Sequence, residues 1–87
     1  MKNVRMEMLT RTRIDPTLAS GHYNLGSVHY AEGRFEEDEA SYRRAIEFDP
    51  TFAAAHYYLG DVLDKLGKHE EAEEAHRRAK RLDPLLG

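Results

Sequence analysis

The 87-residue sequence contains no cysteine and no tryptophan, and only three prolines. Without a thiol there is no disulfide framework and no thiolate nucleophile or ligand, a composition that suits a reducing compartment. Long apolar runs are missing as well. The longest uncharged stretches, 16–31 and 50–60, are too short or too polar to span a bilayer. Lys2, Arg5 and Glu7 interrupt the first nine residues, so these form no signal-peptide core, and a soluble, cytoplasmic chain is expected. Neither sign of charge dominates: the net charge is −3 and the pI about 5.9, which gives no drive towards nucleic acid or an anionic membrane. The basic set Lys2, Arg5, Arg11 and Arg13 is too sparse for a nucleic-acid footprint.

What the sequence does contain is repetition. Each proline follows an aspartate, and Asp15-Pro16, Asp49-Pro50 and Asp83-Pro84 recur every thirty-four residues. Sliding 17–50 onto 51–84 needs no gap and matches sixteen of thirty-four positions. A fixed period of this length marks one supersecondary unit used in series. Such units bury their apolar faces by stacking, and the stack presents a surface, which points to binding and away from catalysis.

Within the first unit, residues 17–31 read as a helix with Thr17 as N-cap; Leu18, Leu25 and Val28 fall on one face, with Tyr23 and Tyr30 beside it. Gly33 is placed to end that helix in the left-handed conformation. Residues 35–48 read as a second helix, with Glu36, Glu37, Asp38 and Glu39 near its start, Arg43 and Arg44 later, and Glu39–Arg43 as an i,i+4 pair. The second unit repeats the plan: Thr51 caps, 53–66 is helical, Gly67 turns, and 69–82 is helical, with Glu73–Arg77 and Glu74–Arg78 as pairs. Gly26, Gly60 and Ala72 are small enough to let paired helices approach closely. Read back by the same period, Val4, Met8 and Ile14 stand where Asp38, Tyr42 and Phe48 stand in the next unit. Residues 1–16 are therefore expected to form the second helix of a partial leading repeat, followed by full repeats at 17–50 and 51–84 and a tail at 85–87.

Leu25-Gly26, Gly33, Phe35, Ala45 and Asp49-Pro50, echoed by Leu59-Gly60, Gly67, Ala72, Ala79 and Asp83-Pro84, resemble the tetratricopeptide repeat. The resemblance implies an all-α helix-turn-helix solenoid that acts in protein–protein interaction. Three features depart from the family pattern. Asp38 stands where the family places alanine and where the second repeat has Ala72. His22 and His56 replace the family's tryptophan, and His29, His69 and His76 fall where aromatic residues are usual. A carboxylate at position 38 must be exposed, paired with a cation such as Arg34, or buried at a cost.

The chemistry-bearing residues favour no reaction. Ser20, Ser27 and Ser41 lack a glycine-flanked elbow, and no phosphate-cradling glycine loop is present. His22/His29 and His69/His76 are seven apart, and Glu73 with His76 has the spacing of a carboxylate-bridged site; one such motif without convergent ligands makes no metal centre. Each histidine is expected instead to fill an aromatic packing position. No enzymatic activity, metal or cofactor is expected.

The resemblance implies that the first helix of each repeat lines a concave groove. Tyr23, Asn24, Ser27 and Tyr30 then come from one repeat, and Tyr57, Tyr58, Asp61, Asp64 and Lys65 from the next. Tyrosine offers contact area with a polar tip, suited to reversible peptide binding, although Tyr23 and Tyr57 also suit inter-helix packing. One subtype of the family clamps the C-terminal carboxylates of heat-shock chaperones. Asn24 matches a clamp position, but Ala54 and Tyr58 occupy its lysine and arginine positions. With Asp61 and Asp64 in the groove, a neutral or basic segment is the expected partner. Two alternatives stand beside this reading: a self-assembling module joined through unfinished ends, where Val4, Met8, Leu9, Leu82, Leu85 and Leu86 are apolar, and a substrate-selecting fragment of a larger enzyme.

Overall fold

Four helices in series make up the described part of the chain, residues 14–86 of a computed structural model. They are α1 (Pro16–Ala31), α2 (Phe35–Phe48), α3 (Ala53–Lys65) and α4 (His69–Leu82). Each packs on the next, giving two helical hairpins, α1–α2 and α3–α4, joined through α2 and α3. The helix expected over most of 1–16 falls on residues outside the described ones.

The repeated glycines and aspartates set the helix ends. Gly33 and Gly67 have φ of 75° and 80°, a region open to glycine at no steric cost. In the first hairpin the Arg34 amide donates to the His29 carbonyl at 2.9 Å and the Gly33 amide to Tyr30 at 3.1 Å. The same two bonds recur from Lys68 to Leu63 (2.8 Å) and from Gly67 to Asp64 (3.0 Å). This double bond pattern closes a helix C-terminus and satisfies its last carbonyls. At the other end the N-cap of α1 is Asp15, not Thr17: its carboxylate accepts from the Leu18 amide at 3.2 Å, and Pro16 fills the first helical turn, where a missing amide costs nothing. Thr51 does not cap α3 either. Its amide and hydroxyl both donate to Asp49 Oδ1, at 3.0 and 2.7 Å, so the side chain stabilises the turn before the helix.

The core is made of small side chains and a few large ones. Ala19, Ala45, Ala55, Ala72 and Ala79 are buried, and Tyr42, Leu59, Val62 and Leu63 fill the space between helices. Gly26 lies against the Tyr42 ring and Gly60 against the His76 ring, so closely that a methyl group at either position would collide. This agrees with the close-packing role expected for both glycines.

Three further expectations are corrected. The face of α1 carrying Leu18, Leu25 and Val28 is half exposed, whereas Ala19 and Gly26 are buried and Tyr23 and Tyr30 pack on the core. Glu74 pairs with Arg77 at 3.2 Å; Arg77 also meets Glu73, at 3.7 Å, and takes the contact expected of Arg78. His69 fills no packing position: its side chain is 74% exposed and reaches Asp64 Oδ1 at 2.8 Å. The other histidines sit closer to expectation. His22 stacks on Phe48 with ring centroids 5.5 Å apart, and His76 packs against Tyr57 at 5.1 Å.

Candidate binding groove

The nine residues expected to line the groove divide into three groups. The first is an aromatic cluster that joins the two repeats. Tyr23 lies 5.7 Å from Tyr42, 4.9 Å from Phe52 and 6.1 Å from Tyr58, between ring centroids, and Tyr42 lies 6.4 Å from Tyr58. Ser27 Oγ sits 3.3 Å from both the Tyr23 carbonyl and the Tyr42 hydroxyl, which holds the cluster to α1. Burial raises the Tyr23 phenol above its ordinary value, and neighbouring Tyr58 adds to the shift. Burial likewise pushes Tyr42 to about 12, against the lowering effect of the Ser27 hydrogen bond. Both phenols therefore stay neutral across the physiological range. Tyr58 is the member that emerges, at 41% exposure.

The second group lies at the edges of that cluster. Tyr30 makes an edge contact with Phe35 at 5.6 Å. Tyr57 lies between Tyr58 (5.4 Å) and His76 (5.1 Å). The third group is polar. Asp61 Oδ1 is 3.0 Å from His76 Nε2, Asp64 is held by His69, and Asn24 and Lys65 are exposed. Sequence reasoning missed Phe52 and Tyr42 as members of the cluster. Phe52 precedes α3 and meets Tyr23 only across the repeat boundary, a contact that the pattern within one repeat does not display.

A concavity lies elsewhere. A cavity of about 430 Å³ opens between α2, α3 and α4, floored by Ile46, Leu59, Leu63 and Ala75 and rimmed by Arg43, Glu71 and Arg78, among others. None of the nine expected residues lines it. Its rim is internally neutralised in part: Arg43 meets Glu71 at 3.2 Å, and Glu47 and Glu74 are held by Arg44 and Arg77. Among the described residues, no three His, Asp or Glu side chains converge as a metal site, and no helix is long and apolar enough to cross a membrane.

Stacked helical hairpins with glycine turns and small residues at the close approaches define an all-α helical solenoid. A TPR repeat family model matches residues 26–67 and a tetratricopeptide repeat model matches residues 53–84. The chain belongs to the tetratricopeptide repeat family. Among solved structures it is similar to the one described as the crystal structure of MamA, with 33% identity and a TM-score of 0.76 over 80% of this chain. The match spans 41% of that chain. No curated protein matches by sequence. Repeats of this family serve protein–protein interaction in general.

Proposed function

We propose that the chain binds a protein or peptide segment in the groove between α1 and α3, by contact and without catalysis. The observation that carries this reading is the half-exposed Tyr58 ring, seated on Tyr23 and Tyr42. A rigid aromatic surface loses little conformational freedom on binding, and its polar tip offers a hydrogen bond. Asn24 and Lys65 supply exposed polar groups beside it, and Asp61 and Asp64 bias the groove towards a neutral or basic segment.

The test is binding of short neutral, basic and acidic peptides, read by tyrosine emission, which no tryptophan obscures. Basic or neutral peptides are expected to bind, and Tyr58→Ala to weaken binding at least about tenfold with helicity retained. Preference for acidic peptides, or unchanged binding by Tyr58→Ala, overturns the reading.

A further inference from the structure

Tyr57, Tyr58 and Asp61 share one side of α3. At about 100° per residue, Asp61 falls about 60° around the helix from Tyr58 and about 40° from Tyr57. It lies one turn beyond both, the spacing at which side chains on a helix surface are neighbours. The Tyr57 and Tyr58 rings are 5.4 Å apart and nearly perpendicular, with an interplanar angle of 81°. Tyr58 is 41% exposed and the Asp61 side chain 35%. An aromatic ring and a carboxylate are thus accessible side by side.

Among the described residues, no lysine or arginine fills that surface. Asp61 Oδ1 is met by His76 Nε2 at 3.0 Å, and no Lys or Arg is paired with Asp61 or placed over the Tyr58 ring. α1, across the groove, contains no Asp, Glu, Lys or Arg. The charge of the described groove is therefore set by α3, where Asp61 and Asp64 outnumber Lys65. Lys65 lies seven residues beyond Tyr58, about 10 Å along the helix axis. A cation fits here.

Within α2 the same combination of ring and carboxylate is already filled by an arginine. The Arg44 guanidinium lies over the Phe48 ring, 5.0 Å from its centroid, while Nη1 donates to Glu47 Oε1 at 2.7 Å. A planar guanidinium does both at once, its face on the ring and its edge towards the carboxylate. An ammonium is compact and more strongly hydrated, so it gives up more water for the same contacts.

We propose that the partner segment docks through an arginine, its guanidinium stacked on Tyr58 and hydrogen-bonded to Asp61. This rests on the binding groove proposed above and narrows its partner from a neutral or basic segment to one that presents an arginine. Tyr23 and Tyr42 back the Tyr58 ring at 6.1 and 6.4 Å, so little freedom is lost when a guanidinium stacks on it. Because His76 meets Oδ1, Asp61 Oδ2 is the oxygen that accepts from the partner.

The test is an NMR titration of the full chain with peptides of one otherwise neutral sequence, carrying arginine, lysine or citrulline at the centre. Citrulline has the shape of arginine without its charge. The arginine peptide is expected to bind at least about threefold tighter than the lysine peptide and about fivefold tighter than the citrulline peptide. Its side-chain methylene signals should move upfield under the Tyr58 ring current. Tyr58→Phe should keep that order of affinities, whereas Tyr58→Leu should erase both the preference over lysine and the upfield shift. Asp61→Asn should narrow the gap between arginine and citrulline, with circular dichroism showing that helicity is retained. Equal binding of all three peptides, each weakened by Tyr58→Ala, overturns the arginine and leaves the groove standing; binding of none overturns both. A preference for lysine, or one for arginine that survives Tyr58→Leu, also overturns the proposal.

Discussion

His76 Nε2 meets Asp61 Oδ1 at 3.0 Å, at the same two repeat positions where Tyr42 and Ser27 face each other at 3.3 Å. Both hairpins therefore carry a polar bridge between their helices, built from different chemistry. Tyr42 is 2% exposed, roofed by the next repeat, whereas the His76 side chain is 26% exposed in the last helix. A smaller, more polar ring suits a helix with less cover.

The bridge predicts energetic coupling. In a double-mutant cycle of Asp61→Ala and His76→Ala, urea unfolding should give a coupling energy of about 1 kcal/mol, typical of a partly buried hydrogen bond. Strictly additive losses would show that the two side chains are neighbours without mutual stabilisation.

The two close-packed glycines should respond unequally to alanine. A Cβ at Gly26 would stand 2.7 Å from the Tyr42 ring, and one at Gly60 would stand 2.5 Å from the His76 ring. Helix propensity favours alanine by about 1 kcal/mol in both cases, while overpacking costs about 1–3 kcal/mol. Tyr42 has no free space to retreat into; His76 can swing towards solvent at the expense of its bond to Asp61. Thermal melts should show Gly26→Ala the more destabilised of the two, and the reverse order would mean that the Tyr42 ring is held less firmly than its burial implies.

Much of this architecture is legible in the sequence because its punctuation is local. Gly33 and Gly67 end helices by their own backbone freedom, and the thirty-four-residue period follows from simple alignment. The misplaced cap at Thr17 arose from weighing a hydroxyl residue while passing over Asp15, which directly precedes a proline suited to the first turn. Asp38 was undecidable, since no local pattern tells whether a carboxylate on a packing face finds a cation. Tyr23 was legible as a surface aromatic but not as a partner of Phe52, because that contact depends on how one repeat leans on the next. Leu18, Leu25 and Val28 were legible as sharing one face of α1, but a helical wheel does not report whether that face is covered.

Ion pairs tie the first repeat to the second, and Glu39 is their hub. It accepts from Arg43 at 2.8 Å and from Lys68 at 3.1 Å, with only 15% of its side chain exposed. Burial alone would raise its carboxyl, but the hydrogen bonds and charges of Arg43 and Lys68 outweigh burial and hold it below the usual value. Its contribution is therefore present above the ordinary glutamate range and lost as pH falls through the depressed value. Glu39→Gln should lower stability by about 1 kcal/mol or less at neutral pH, an effect that shrinks in high salt. A loss that salt leaves untouched would point to packing in place of charge.

Asp38 should oppose Glu39 in its pH dependence. Its side chain is fully buried, neither carboxylate oxygen has a hydrogen-bond partner, and Arg34 is engaged with Glu32 and Glu37 instead. Burial raises its carboxyl from 3.8 to about 7. In the unfolded chain this group ionises near its ordinary value, so stability drains away as pH rises from about 4 towards 7. Above about 7 the folded form ionises as well and the penalty is complete. The second repeat shows the remedy: Ala72 occupies the equivalent position at 1% exposure without strain. Asp38→Ala should therefore raise the melting temperature at pH 7.5 by about 5 °C or more, the shift that about 1 kcal/mol produces in a domain of this size. The gain should shrink towards pH 4, where the folded carboxyl is protonated and the unfolded one is close to its own midpoint. A variant that melts at or below the parent temperature at pH 7.5, or whose gain is the same at both pH values, would show that Asp38 reaches solvent or a cation in solution and that its burial imposes no electrostatic cost.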